Sequence, residues 1–220
     1  MTSVVAFDER LAFFEASESV SVLMASTAVG DNWSRPSRVE GFTVGGLCGH
    51  LVRTAARLED LLVEGRPSSD QHVVPIAHLY DVRTTPDRAL DDPINRYIVE
   101  DGEGRAQAGQ DAMVGSFRRL LDDLRIDLED LHPKTLVGAA RAPNCAAILQ
   151  DVLATRVVEI VVHGDDVASS VNASWDPPPP AIRVALHALV EVARGRSGDL
   201  AVLRALARGE RAESGTFPVI

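Results

Sequence analysis

The segment TRVVEIVVHGDDVA, residues 155–168, combines apolar side chains with a carboxylate and an imidazole at helical spacing. Thr155, Glu159 and His163 follow one another at intervals of four residues, so all three lie on one face of a helix. The buried side of that helix is set by five positions: Ile148, Val152, Thr155, Val162 and Val167. The pattern predicts a long helix from about Cys145 to Val171, with the carboxylate and the imidazole pointing inward.

A second helix is predicted to follow Thr43, which stands at the N-cap position, and to end near Val63. Its inward stripe has six members: Val44, Leu47, Leu51, Thr54, Leu58 and Leu61. His50 lies three residues after Leu47 and four before Thr54, so it belongs to the same stripe. Three glycines weaken the first turns by about 1 kcal/mol each: Gly45, Gly46 and Gly49.

The rest of the chain supplies the other helices. Helical spacing predicts a first helix from Phe7 to Val29, a third that begins at Ile94 or Arg105 and ends at Leu124, and shorter helices near Ala181–Arg194 and Asp199–Arg208. Residues 66–94 contain four prolines and predict a long irregular crossover, which has a function or short structure of its own. A loop is expected over residues 132–143.

Four long helices make an all-α protein, and we expect them to pack as one bundle over residues 1–173. The segment SWDPPPP, residues 174–180, ends in four consecutive prolines and predicts an extended spacer. Residues 174–220 are therefore expected to form this proline-rich spacer and a short helical C-terminal extension.

The overall charge limits the partners that the protein can bind. The chain has 220 residues, with 22 lysines and arginines against 32 acidic residues, for a formal net charge of -10. Such a surface repels phosphate backbones and anionic lipids, and no basic stripe reverses this locally. We therefore expect neither nucleic acid nor a membrane as a partner. A chain of this length also buries a core without a structural metal, so any metal is expected to be functional.

The cysteines indicate the cellular compartment. Cys48 and Cys145 have no CxxC spacing, which is typical of two free thiols in a reducing cytoplasm. The N-terminal residues carry acids where a signal peptide carries positive charge, and no apolar run approaches the ~20 residues of a membrane span. The sequence predicts a soluble, cytoplasmic protein.

The inward placement of Glu159 and His163 needs a physical explanation, because burying a lone ionised carboxylate costs several kcal/mol. A divalent cation removes that cost by accepting a carboxylate oxygen and a neutral imidazole nitrogen at about 2.0–2.2 Å. His50 from the facing helix would supply the third ligand. Three protein ligands leave a coordination position open, as in catalytic zinc sites. Zinc is expected from its availability, although the same donors suit nickel, iron or manganese.

Two further residues are candidates for roles beside the metal. Asp166 follows His163 by three residues and can accept the second imidazole N–H, which fixes the tautomer. Arg156 can pair with Glu159 or with an anionic substrate. Spacing alone leaves other interpretations open, since Glu159 can pair with Arg156, Asp166 can be solvated, and His50 can bond a backbone carbonyl. The remaining histidines are interpreted as structural or surface residues: His72, His78, His132 and His187.

Two segments of the chain resemble the signatures of one family, the mycothiol-dependent maleylpyruvate isomerase N-terminal domain. PSRVEGFTVGGLCGHL, residues 36–51, is similar to its Gly-Trp-Thr-Val-x-x-Leu-x-x-His-Leu signature. RVVEIVVHGDDVA, residues 156–168, is similar to its Arg-x-x-Glu-x-x-x-His-Gly-Trp-Asp-x-Ala signature. Phe42 and Asp165 stand where these signatures have tryptophan. The tail from Asp199 to Ile220 resembles the end of many short actinobacterial members.

The resemblance covers about residues 8–171 and implies a DinB-like metal-binding four-helix bundle. It places the family's metal ligands on His50, Glu159 and His163, and it matches the family's acid to Asp166. It also implies an isomerase or transferase in which the metal holds the sulfur of mycothiol, a low-molecular-weight thiol, as a thiolate. That thiolate would attack a small electrophilic substrate. A non-catalytic metal-binding or regulatory bundle is the alternative.

Overall fold

The computed structural model describes residues 8–63, 71–81, 92–138, 145–211 and 217. In chain order the helices are α1 (Glu9–Met24), α2 (Thr27–Asp31), α3 (Val44–Val63), α4 (Ile76–Asp81), α5 (Pro93–Ala106), α6 (Gln110–Leu128), α7 (Leu149–Ser170), α8 (Pro179–Ser197) and α9 (Asp199–Ala207). The strands are β1 (His72–Val73), β2 (Leu136–Gly138) and β3 (Cys145–Ile148), and a short 3-10 helix covers Gly209–Arg211. The protein is all-α, as predicted, with one small sheet.

Four helices form the bundle: α1, α3, α6 and α7. Both α1 and α3 pack against α6 and against α7, so the four helices enclose one apolar core. The inward stripe predicted for α3 is confirmed, because each of its six residues is at most 2% exposed. On α7, Val152, Thr155 and Val167 are buried as predicted, whereas Val162 is only half-buried. The DinB-like bundle thus places α3 beside α7.

Two of the predicted long helices are each two helices in the structure. α1 ends at Met24, and the hydroxyl of Ser26 caps α2 by accepting a backbone N–H. Serine bonds the backbone in this way more favourably at a helix end than inside a helix. The third predicted helix is divided into α5 and α6 at Gly109, whose φ of +84° favours glycine. Gly102 and Gly104, which lie between the two predicted starts of that helix, are inside α5.

The start predicted for the fourth helix is wrong, because α7 begins at Leu149 and not at Cys145. Cys145–Ile148 forms β3, which pairs in parallel with β1 and antiparallel with β2. The run Cys-Ala-Ala-Ile is short and apolar throughout, so periodicity does not distinguish strand from helix there. The expected crossover contains β1 and α4, and the loop expected over residues 132–143 contains β2.

α5 crosses the first half of α3 at close range, and glycine makes this approach possible. A Cβ on Gly102 would lie 2.6 Å from the carbonyl oxygen of Gly46, and one on Gly49 would overlap the Gly102 carbonyl group. Side chains also link the two helices, because the carboxylate of Glu103 accepts the N–H of Thr43 at 2.7 Å. The hydroxyl of Thr43 in turn caps α3. The glycines that weaken α3 as an isolated helix therefore serve its packing.

The C-terminal helices lie outside the four-helix ring. α8 begins at Pro179, inside the proline run, since proline is compatible with a first helical turn, and it packs against α1, α4 and α7. In the preceding segment, Trp175 packs over Gly164 and donates its indole N–H to Ser19 at 3.0 Å. The domain boundary after residue 173 stays a prediction. Within the described ranges, no helix has the length and apolar character needed to cross a membrane.

Candidate metal centre

α3 and α7 bring the three predicted ligands together. His50 projects from α3, and Glu159 and His163 project from successive turns of α7. Each of the three offers a ligand atom, and these atoms all lie within 4.8 Å of one another. In the part of the chain that the structure describes, this is the one group of three or more such side chains close enough to hold a metal ion.

The spacing of the donor atoms fits a divalent metal. Oε2 of Glu159 lies 3.6 Å from Nε2 of His50 and 3.6 Å from Nε2 of His163. Ligands placed tetrahedrally at about 2.1 Å from a zinc ion are roughly 3.4 Å apart. The two imidazole rings stand nearly perpendicular, at 82°, with their centroids 4.9 Å apart. Two imidazoles and a carboxylate with these separations form a chemically suitable donor set.

Asp166 lies beside His163, one helical turn further along α7. Its Oδ2 is 3.0 Å from Nδ1 of His163. A carboxylate at this position accepts the Nδ1–H, which leaves Nε2 of the imidazole directed at Glu159. The neighbouring Asp165, which stands where the family signature has tryptophan, is exposed to solvent.

The site is partly open to solvent. The side chain of His50 is 9% exposed, that of Glu159 19% and that of His163 22%. The hydrophobic core lies behind them, because residues on either side along both helices are fully buried, among them Leu47, Leu51 and Ile160. The three side chains are therefore buried on the core side and partly exposed on the other.

The charges of the site are balanced by the protein itself. Burial raises the pKa of the Glu159 carboxyl, but hydrogen bonding with the imidazoles of His163 and His50 outweighs burial and holds this pKa well below its usual value. Burial lowers the pKa of His163, but hydrogen bonding to Asp166 and Glu159 outweighs it and raises this pKa to about 9. Glu159 is thus ionised. A metal ion must displace a proton from His163, as is general for histidine ligands.

His50 is held by packing. Burial lowers the pKa of its imidazole, which favours the neutral form that a metal accepts. The centroid of its ring lies 5.7 Å from that of Phe42, and a Cβ on Gly102 would lie 3.4 Å from its backbone nitrogen. Its Nδ1 is buried and has no hydrogen-bond partner among the described residues. The position of this ligand therefore depends on how closely α5 approaches α3.

Arg156 is buried, with 5% of its surface exposed. Its Nε and one terminal nitrogen both donate to the hydroxyl of Thr155 at 3.2 Å. The hydroxyl of Tyr80 donates to the carbonyl oxygen of Thr155 at 3.2 Å. The charge of Arg156 helps to lower the pKa of Glu159, although the imidazoles contribute more. Whether Arg156 contacts a substrate stays a prediction.

The sequence predicted the three candidate ligands but not the residues that position His50. Phe42 stood out only as a departure from a signature, and Gly102 lies between the two predicted starts of the third helix. A detectable signal was the spacing of Gly46 and Gly49 in α3, since small residues one turn apart on a helix indicate a close helix crossing. Locating their partner in α5 required the tertiary structure.

A comparison with known families gives a match over most of the chain. Residues 14–168 match the model of the mycothiol maleylpyruvate isomerase N-terminal domain family. The chain belongs to this family. All three candidate ligands and Asp166 lie within the matched residues, whereas α8 and α9 lie beyond them. No curated protein and no solved structure matches the chain.

Proposed function

We propose that this member of the mycothiol maleylpyruvate isomerase N-terminal domain family is a thiol-dependent isomerase or transferase. In this proposal His50, Glu159 and His163 hold one divalent metal, with zinc expected first. The proposal is carried by one observation, the convergence of three potential ligand atoms within 4.8 Å of one another on a partly exposed surface. The family name supports mycothiol as the thiol.

In the proposed chemistry, the metal and the residues around it have different roles. When bound, the metal would hold the thiol sulfur as a thiolate at neutral pH, so that the sulfur can add to a conjugated double bond or displace a leaving group. Glu159 contributes the negative charge of the ligand set. Asp166 keeps the proton of His163 at Nδ1, so that Nε2 is free to ligate.

Arg156 is proposed to act near the site through its charge. Its buried guanidinium donates to the hydroxyl of Thr155, and its charge favours the ionised form of Glu159. The sequence-based alternative is contact with an anionic substrate, which would require the buried guanidinium to be reached from solvent. Asp166 is likewise proposed as a positioning residue and not as a group that touches substrate.

The partners follow from this proposal. They are a low-molecular-weight thiol and a small electrophile, whose reaction would take place in a reducing cytoplasm. Cys48 is free and buried, and Cys145 is free and half-buried, which is compatible with that compartment.

Two measurements test the proposal. Native mass spectrometry of the purified protein is expected to show one divalent metal per chain and to identify it, and His50→Ala and His163→Ala are each expected to lose it. Thiol consumption is then measured against a panel of electrophiles, with and without a chelator. Unchanged metal content in both variants would refute the site. A bound metal without thiol consumption would favour a non-catalytic metal-binding bundle.

A further inference from the structure

A polar cleft of about 270 Å³ lies between α3 and α5. We call it the arginine cleft, and its charged and aromatic side chains are Arg53, Arg57, Asp60, Tyr97, Asp101 and Arg105. Its volume is close to the lower end of the range of about 300–1,000 Å³ that is usual for small-molecule sites. The cleft can therefore hold a small molecule or one end of a larger one.

The arginine cleft is positively charged, although the protein is strongly acidic. Counting only residues that the structure describes, it holds three guanidinium groups and two carboxylates. Asp101 forms ion pairs with two of the arginines, because its Oδ2 lies 2.9 Å from Nε of Arg105 and 3.4 Å from Nε of Arg53. The third arginine, Arg57, pairs with Asp60 at 3.0 Å. Among the described residues, one carboxylate shared by the guanidiniums of Arg53 and Arg105 leaves some of their N–H donors without an acceptor of opposite charge, and an oxyanion would supply one.

The aromatic side chain of the cleft orients one of these guanidiniums. The central carbon of the Arg53 guanidinium lies 5.5 Å from the centroid of the Tyr97 ring, which is 55% exposed. Stacking of this kind fixes the plane of a guanidinium while its N–H groups stay available at the edge. A planar carboxylate or a phosphate can therefore be bound in a defined direction.

The arginine cleft adjoins the candidate metal centre. Arg53 and Arg57 follow His50 on α3 by three and seven residues, so they lie on the same side of that helix. Asp101 directly precedes Gly102, where a Cβ would lie 3.4 Å from the backbone nitrogen of His50. The helix crossing that positions His50 thus also forms the walls of the cleft.

We propose that the arginine cleft binds an oxyanion group, carboxylate or phosphate, of the electrophilic substrate. The inference rests on the proposed function, since it assigns the substrate a negative charge and a position one helical turn from the metal. It also moves substrate recognition away from Arg156, whose nitrogens already donate to Thr155. Two arginines from α3 and one from α5 would hold the anion, and Asp101 would fix the orientation of two of them.

Isothermal titration of the full-length, metal-loaded protein tests this proposal, with succinate and inorganic phosphate as separate probes. Arg57→Gln and Arg105→Gln remove one cation from each wall. Each is expected to raise the dissociation constant of the probe that binds by roughly ten- to a hundredfold, because a charge-assisted hydrogen bond is lost. Arg57→Lys is expected to recover only part of the affinity, since lysine lacks the guanidinium fork.

The matched control is Arg118→Gln, which removes an exposed arginine from α6, and it is expected to bind like the unaltered protein. Far-ultraviolet circular dichroism verifies that each variant is folded. Because Asp60 is exposed to solvent, removing its partner Arg57 leaves no buried unpaired charge.

The proposal is overturned if neither probe binds, or if all variants bind alike. Repeating the titration on metal-free protein separates the two proposals. Anion binding that persists without metal supports the cleft even if the metal centre fails, and a bound metal without anion binding refutes the cleft alone.

Discussion

Gly102→Ala and Gly104→Ala form a matched pair, because both glycines lie in α5 and only Gly102 contacts α3. A Cβ on Gly102 would lie 2.6 Å from the carbonyl oxygen of Gly46 and 3.0 Å from the Phe42 ring, whereas one on Gly104 meets nothing within 4 Å. Since real Cβ atoms essentially never lie within 3.0 Å of a neighbour, Gly102→Ala must move backbone by at least 0.4 Å.

The magnitude follows from two opposing effects. Alanine gains about 1 kcal/mol of helix propensity over glycine at either position. Overpacking at Gly102 costs about 1–3 kcal/mol, and the contacting atom is backbone, which cannot rotate away. We expect Gly104→Ala to raise the free energy of unfolding by about 1 kcal/mol. The free energy of unfolding of Gly102→Ala is expected to be about 1–3 kcal/mol lower than that of Gly104→Ala. Urea unfolding followed by circular dichroism measures both values.

The same variants test the link between the helix crossing and the metal centre. The new Cβ would lie 3.4 Å from the backbone nitrogen of His50, so separating α5 from α3 displaces that ligand. Metal sites tolerate changes in ligand distance of only about 0.2 Å. We expect Gly102→Ala to weaken metal binding at least about tenfold in a chelator competition assay, with Gly104→Ala unchanged. Equal stabilities and equal metal affinities in the two variants would refute the reasoning.

Further predictions concern the neighbours of the site. Asp166→Asn is expected to weaken metal binding by about 10- to 100-fold, because His163 loses its charged acceptor, whereas the exposed Asp165→Asn leaves the chelator competition unchanged. Thr43→Val removes the hydroxyl that caps α3 and is expected to lower the free energy of urea unfolding by about 1 kcal/mol, with Thr43→Ser retaining it. Burial raises the pKa of the Cys48 thiol to about 12 from 9.0, so the unfolded chain loses this proton first. The stability that the protonated thiol contributes is complete below pH 9 and declines by about 1.4 kcal/mol per pH unit between pH 9 and pH 12. Urea unfolding at pH 8 and pH 10 should show a smaller loss of unfolding free energy in Cys48→Ala than in the unaltered protein. An identical loss would contradict this prediction.

Strong amphipathic periodicity made the centre of the bundle predictable. The stripe of α3 is continuous over five turns, and the helix ends at the predicted Val63. His50 on that stripe, and Glu159 with His163 on α7, could therefore be assigned to facing surfaces before their distances were known. The spacing of Asp166 from His163 predicted their contact for the same reason, since it depends only on helix geometry.

Features that depend on contacts between distant segments were not predictable. The cost of glycine in α3 can be estimated from the sequence, but its benefit depends on Gly102, more than fifty residues away. The arginine cleft has a regular spacing in each wall, with Arg53 and Arg57 on α3 and Tyr97, Asp101 and Arg105 on α5. The sequence could not place these two walls beside each other, because it did not show where α5 begins or which side of α3 this helix covers.

The structure also changes the physical reason for expecting a metal. From the sequence, a cation was needed to offset the burial of Glu159. In the fold, hydrogen bonding with the imidazoles of His163 and His50 already stabilises the carboxylate, and Asp166 supports the charge of His163. The apolar core is likewise continuous across the four bundle helices. Support for a metal therefore comes from donor spacing and family membership. Three candidate ligands and a partly exposed position resemble the open catalytic zinc sites more than the closed four-ligand structural ones, which supports the proposed chemistry.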